Sequence, residues 1–86
     1  MPGFRWNDWN LEQTTKHGCR LEEIESVIRH EVRARRARKV GNDKWRVEGR
    51  GIGDRMMEAI FIWDDGDGDT VYVIHAMPLT TRRRRN

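Results

Sequence analysis

The chain's apolar residues are concentrated in one stretch, Met56 to Met77 (MMEAIFIWDDGDGDTVYVIHAM), and that concentration limits what it can fold into. Two runs, Met56–Trp63 and Thr70–Met77, are rich in β-branched and aromatic residues and flank an acidic, glycine-bearing loop. Such runs predict paired strands. Side chains alternate across a strand, so Met57, Ala59, Phe61 and Trp63 share one face, and Met56, Glu58, Ile60 and Ile62 the other. Elsewhere apolar mass is scarce: of 86 residues, 36% are hydrophobic and 36% charged. A domain this small has a thin core, to which a partner or an oligomer would add stability.

The preceding half reads as mostly helical. Phe4-Arg5-Trp6 forms a short opening strand, and Asn7 or Asp8 then caps a helix over about Asp8–His17, which Gly18 stops in the left-handed conformation. Leu21, Ile24, Val27 and Ile28 recur at helical spacing and predict a second helix over Leu21–Arg29. Glu22, Glu23 and Glu25 load its first half favourably for the helix dipole, although Arg20 stands where a Ser, Thr or Asp cap is expected. Residues 30–51 (HEVRARRARKVGNDKWRVEGRG) have two readings. Either the helix continues through Lys39, or Glu31–Ala37 is a strand that turns at Gly41-Asn42-Asp43 and returns over Lys44–Arg50. Alternation of Val32 and Ala34 with Arg33 and Arg35, together with the turn signal, favours the hairpin. The expected fold is α+β: two N-terminal helices packed on a small antiparallel β-sheet, one domain over residues 1–81, then a basic tail over 82–86.

Net charge is only +3, but it is segregated. Arg29 to Lys39 carries six Lys or Arg residues against one Glu, and Arg82 to Arg85 adds four arginines. Charge clustered this way suits a phosphate-binding surface, or is simply a solvated face. The single cysteine, Cys19, excludes an intrachain disulfide and fits a reducing compartment. No apolar run approaches the roughly 18–20 residues that span a membrane. Met1 is followed by PGFRWND, which is no secretory signal. A cytoplasmic protein without a membrane partner is expected.

Several motifs fail on inspection. In the loop, Asp65, Asp67 and Asp69 alternate like the start of a calcium loop, but Thr70 stands where its glycine belongs and Ala76 where its bidentate glutamate belongs. Gly49-Arg50-Gly51-Ile52-Gly53 resembles a nucleotide-binding loop, yet no helical pattern follows it. His17, His30, His75 and Cys19 lack zinc spacing. Ser26, the only serine, has no nucleophile-elbow motif. No metal and no cofactor is expected.

RNA cleavage through the 2′-hydroxyl needs neither. It needs a base for that hydroxyl, cations for the charge on phosphorus, and an acid for the departing oxygen. Lys16, His17, Glu48, Arg50, Arg55 and His75 are the right residue types, and each has a plain structural alternative. His75 would be a packed core histidine, His17 a helix-end cation, Glu48 a cross-strand ion-pair partner, and Arg50 and Arg55 solvated arginines beside a glycine turn. Trp6, Trp9 and Trp45 are either core or platforms for bases.

The ordered set Phe4-Arg5-Trp6-Asn7, Lys16-His17-Gly18, the Glu-rich second helix, Gly49-Arg50, Asp54-Arg55, Val73-Ile74-His75-Ala76, Pro78-Leu79-Thr80 and Arg82 resembles the BrnT family, toxin halves of bacterial type II toxin–antitoxin pairs. The resemblance implies a RelE-like fold and a translation-blocking ribonuclease that acts on RNA; the alternative is a non-catalytic module of the same fold that uses its basic blocks to hold nucleic acid or an acidic partner. The resemblance also implies neutralisation by a ribbon-helix-helix antitoxin, with promoter DNA bound by the complex. By position, it places His17, Arg50, His75 and Arg82 in catalysis and Lys16 on RNA; Arg55 beside the glycine turn and Arg83 of the basic tail are further RNA-binding candidates by residue type. Relatives commonly carry arginine two residues after the His75 position, where this chain has Met77.

Overall fold

A computed structural model describes residues 2–64 and 69–79. The N-terminal strand β1 (Gly3–Arg5) leads into helix α1 (Asp8–Thr15) and helix α2 (Leu21–Arg33). Strands β2 (Arg38–Lys39), β3 (Trp45–Arg50), β4 (Met56–Trp63) and β5 (Thr70–Pro78) follow, with a 3-10 turn over Ile52–Asp54. The sheet order is β1-β5-β4-β3-β2. The fold is α+β, with α2 packed on β3 and α1 against β5.

The sheet is mixed, not purely antiparallel. β1 pairs with β5 in parallel, Phe4 opposite Val71, while every other pairing is antiparallel. That contact joins strands at opposite ends of the sequence, so no turn constrains its direction.

Each helix start follows from its sequence. The Asn7 side chain accepts from the Asn10 N–H at 3.0 Å, and the Asn10 side chain accepts from the Asn7 N–H at 2.7 Å, a reciprocal cap. α1 ends two residues before the expected His17, and Gly18 then turns the chain at φ +89°. At α2, Arg20 supplies no side-chain cap, and the Glu23 carboxylate instead accepts from the Arg20 N–H at 3.2 Å.

The expected strand over Glu31–Ala37 is corrected: Glu31, Val32 and Arg33 belong to α2, and only Arg38–Lys39 pair with β3. The cause is tertiary. Glu31 continues the buried stripe of Ile24, Val27 and Ile28, and Arg36 closes on its carboxylate through two bonds of 2.8 and 3.2 Å. The Arg35 N–H bonds to the Val32 carbonyl and the Arg36 N–H to the Glu31 carbonyl, a Schellman ending with Arg35 at φ 62° where glycine is usual.

The core forms where α2 meets the sheet. Ile24, Ile28, Met57, Ala59, Phe61, Val71, Val73 and Ala76 are fully buried, so the alternation expected of β4 holds from Met57 to Phe61. In β5 the alternation breaks. Ile60 pairs with His75 and Phe61 with Val73, leaving Ile74 as a bulge. Strict alternation would have put His75 in the core beside Val71 and Val73. The extra residue moves it to the opposite face, the usual effect of a bulge.

Candidate active site

On the sheet face opposite α2, the cross-strand rows follow from the register. Arg46, Ile60 and His75 form one row, and Glu48, Glu58 and Met77 the next. Glu48 and Glu58 are direct cross-strand neighbours, a repulsive placement that Arg46 resolves by bonding both carboxylates. His75 Nε2 lies 3.1 Å from Glu58 Oε2. Burial pushes the Glu58 carboxyl up, but the hydrogen bonds from Arg46 and His75 outweigh this and hold it below the usual carboxylate range. Glu58 is therefore a carboxylate at neutral pH, held between a fixed cation and an imidazole.

α1 completes the site from the side of β5. It carries Trp9 at its start and His17 just beyond its end. The His17 ring meets the His75 ring edge-on at 6.2 Å. Trp9 stacks on Tyr72 at 6.5 Å with the planes only 11° apart, and remains 52% exposed. The Arg5 guanidinium sits 4.5 Å over the Tyr72 ring, and the Tyr72 hydroxyl donates to the Asn7 side chain. α1 and β5 therefore run side by side in the same direction, matching Trp9 to Tyr72 and His17 to His75. The two pairs are roughly 10 Å apart at 3.3 Å per strand residue.

The other expected site residues lie elsewhere. Lys16 precedes His17 on the surface, its Nζ 3.0 Å from the Gln13 side chain. Arg50 is at the far end of β3, four residues along from the His75 row and two strands over, roughly 15 Å away by strand spacing. It forms an exposed ion pair with Asp54 at 3.0 Å. Arg55 is committed to the fold: its Nη2 donates to Glu23 at 3.0 Å and to the Gly18 carbonyl at 3.2 Å. Arg82 and Arg83, and Asp65 and Asp67 of the acidic loop, lie outside the described residues. Trp6 packs against the core and donates to Glu25, and Trp45 also packs against the core.

Sequence reasoning missed Glu58 as a site residue. Its signal was present, a lone carboxylate in an otherwise apolar strand, but its link to His75 depends on the bulge. The glycine-rich turn has a structural explanation as well. A Cβ on Gly51 would overlap the buried Glu23 carboxylate, which also accepts from the Ile52 N–H at 3.0 Å. Among the described residues, no group of three or more His, Cys, Asp or Glu side chains is placed to hold a metal, and no helix is long and apolar enough to cross a membrane. No protein-family model, curated protein or solved structure matches the chain.

Proposed function

We propose that this protein is a toxin-type ribonuclease that cleaves RNA through the 2′-hydroxyl without a metal. The observation that carries the reading is the His17–His75 pair, with His75 tied to an ionised Glu58 on the sheet face opposite α2. With Nε2 donating to Glu58, the Nδ1 of His75 presents a lone pair that takes the 2′-hydroxyl proton. The freed oxygen attacks phosphorus, and the departing 5′ oxygen takes its proton from His17. The products are a 2′,3′-cyclic phosphate and a 5′-hydroxyl. Glu58 is a positioning residue that fixes the imidazole's orientation and balances its charge when protonated.

Trp9, half exposed on its Tyr72 support, offers a stacking surface for a base. Lys16 stands next to His17 for a phosphate. Arg46 is already neutralised by two carboxylates, so charge on the transferring phosphoryl group falls to Lys16 and to Arg82 of the C-terminal segment. Arg50 is placed in catalysis by the resemblance, while Arg55 and Arg83 are drawn to RNA by charge alone, and for Arg55 the Glu23 contact supplies a structural role instead. The similarity to BrnT toxins supplies the setting: a RelE-like, cytoplasmic toxin held by a ribbon-helix-helix antitoxin, with promoter DNA bound by the pair.

The test is cleavage of an end-labelled single-stranded RNA in EDTA, with the ends of the products identified. His17→Ala and His75→Ala should each reduce the rate by about 10²–10⁴, the range for a lost general acid or base. Both variants should keep the wild-type circular dichroism spectrum. Cleavage that survives both substitutions, or a folded wild type that leaves RNA intact, would refute the proposal.

A further inference from the structure

The two edges of the sheet are finished differently. On one side β5 is flanked by β1 and α1. On the other, β2 pairs only with Trp45 and Arg46, so no described strand lies beside β3 from Val47 to Arg50. The direction of the open backbone groups follows from two backbone hydrogen bonds at the ends of these pairings. The Gly51 N–H donates to the Arg55 carbonyl, so odd-numbered residues of β3 bond inward to β4. The Val40 N–H donates to the Lys44 carbonyl, so even-numbered residues bond outward to β2. Continued by the antiparallel alternation, this aims the N–H and C=O of Glu48 and Arg50 at the open edge. About 13 Å of unpaired strand results, at 3.3 Å per residue.

That edge forms one wall of a groove of about 910 Å³, and the C-terminal half of α2 with the segment after it forms the other. Arg36 and Arg46 line it but are paired with Glu31 and with Glu48 and Glu58. Arg35 and Arg38 also line it and form no ion pair with a described residue, while Arg50 has only its exposed Asp54. Charge commonly guards an open edge against indiscriminate pairing. Here the uncommitted charge has one sign, so the guard becomes a selector.

We infer that the β3 edge is a docking site for an extended acidic segment of another protein. The segment would extend the lane β2 begins, bonding to the backbone of Glu48 and Arg50 while its carboxylates meet Arg35, Arg38 and Arg50. A peptide fits better than a nucleic acid because the edge presents acceptors as well as donors. A peptide backbone satisfies both, whereas phosphates satisfy only donors. The inference does not depend on the histidine pair and holds whether or not that pair cleaves RNA.

The experiment offers the folded protein a pool of eight-residue peptides with Asp or Glu at alternate positions and random residues between them. The best binder is then followed by fluorescence anisotropy and amide hydrogen exchange. Slowed exchange at Glu48 and Arg50 is expected, with at least tenfold weaker binding when alternate peptide nitrogens are methylated. Binding should also weaken at least tenfold in Arg38→Glu, an exposed substitution outside the core, and the same pool with Lys in place of the acids should not bind. The inference is overturned if no member of the acidic pool binds, if the methylated peptide binds equally well, or if binding leaves the Glu48 and Arg50 amides unprotected. It is equally overturned if a single-stranded oligonucleotide outcompetes the best peptide at that edge.

Discussion

Arg55 is the residue for which the sequence and the structure suggest opposite experiments, so Arg55→Ala is informative. In the fold its guanidinium is the charge partner of Glu23, whose carboxylate is 1% exposed. Removing one partner of a buried ion pair costs about 3–5 kcal/mol, because the other charge is left uncompensated. Two features reduce that here. Glu23 keeps the N–H groups of Arg20 and Ile52, and Arg55 is itself 41% exposed, so water enters where the guanidinium was. We therefore expect a loss of about 2 kcal/mol, near half the buried-pair value. For a domain of this size that lowers the melting temperature by about 8–16 °C, and the urea midpoint by about 1–2 M.

Tryptophan fluorescence follows the urea transition, with Glu23→Gln and the double variant completing a cycle. A coupling energy of about 1–2 kcal/mol is expected between the two positions. If Arg55→Ala unfolds within about 0.5 kcal/mol of wild type, the size of an ordinary surface substitution, the premise that Glu23 is a desolvated charge is wrong. If it is destabilised as expected, any lost RNA cleavage must be measured well below its melting temperature before Arg55 is assigned to RNA.

Three further outcomes are expected. Arg35→Gly relieves a left-handed residue at the end of α2 and should stabilise the fold by about 0.5–1 kcal/mol, read as a rise of a few degrees in melting temperature. Glu58→Gln should cost about 1–2 kcal/mol at neutral pH. Because the folded carboxyl is held below its ordinary value, its stabilisation is fully present above about pH 5 and disappears as pH falls through the folded value. The wild-type advantage over Glu58→Gln should therefore shrink in urea titrations on the acid side and stay constant above it. Met77→Arg places a cation opposite Glu58 in the row next to His75 and should raise RNA cleavage about tenfold or more, given what one lost transition-state donor costs. A folded Met77→Arg with unchanged cleavage would show that this row does not face the phosphate.

How far the sequence could be read depended on how local each signal was. The period-two pattern of β4 was legible because Met57, Ala59 and Phe61 obey it without interruption. Asn7 was legible as a cap because its bond spans only three residues. The end of α2 was not. Alternating Val32 and Ala34 imitates a strand, and only the closure of Arg36 on Glu31 decides for helix. The bulge at Ile74 carries no glycine or proline to announce it, so the face on which His75 emerges was not readable. His17 and His75 were singled out by residue type and resemblance. Their proximity follows from α1 lying along β5, a contact no local pattern encodes.

The same non-local contacts change the meaning of the basic composition. Glu23 and Glu31 are buried and Glu58 is largely so, and each holds an arginine: Arg55, Arg36 and Arg46 respectively. A carboxylate removed from water must be paired or hydrogen-bonded, so these arginines are requirements of the fold and contribute little field beyond it. Among the described residues, one cluster of charge left for a partner lies at Arg35, Arg38 and Arg50, around the open edge of β3. His75, by contrast, sits beside Glu58 with His17 against it, on the sheet face opposite α2, where Arg46 is already neutralised. The Arg35, Arg38 and Arg50 cluster and the His17–His75 pair are therefore separate groups of side chains. Charge reversal at Arg38 should abolish salt-sensitive partner binding without touching the rate of RNA cleavage, and His75→Ala should do the reverse. A single substitution that removes both while leaving the melting temperature unchanged would mean that the groove and the histidine pair form one site.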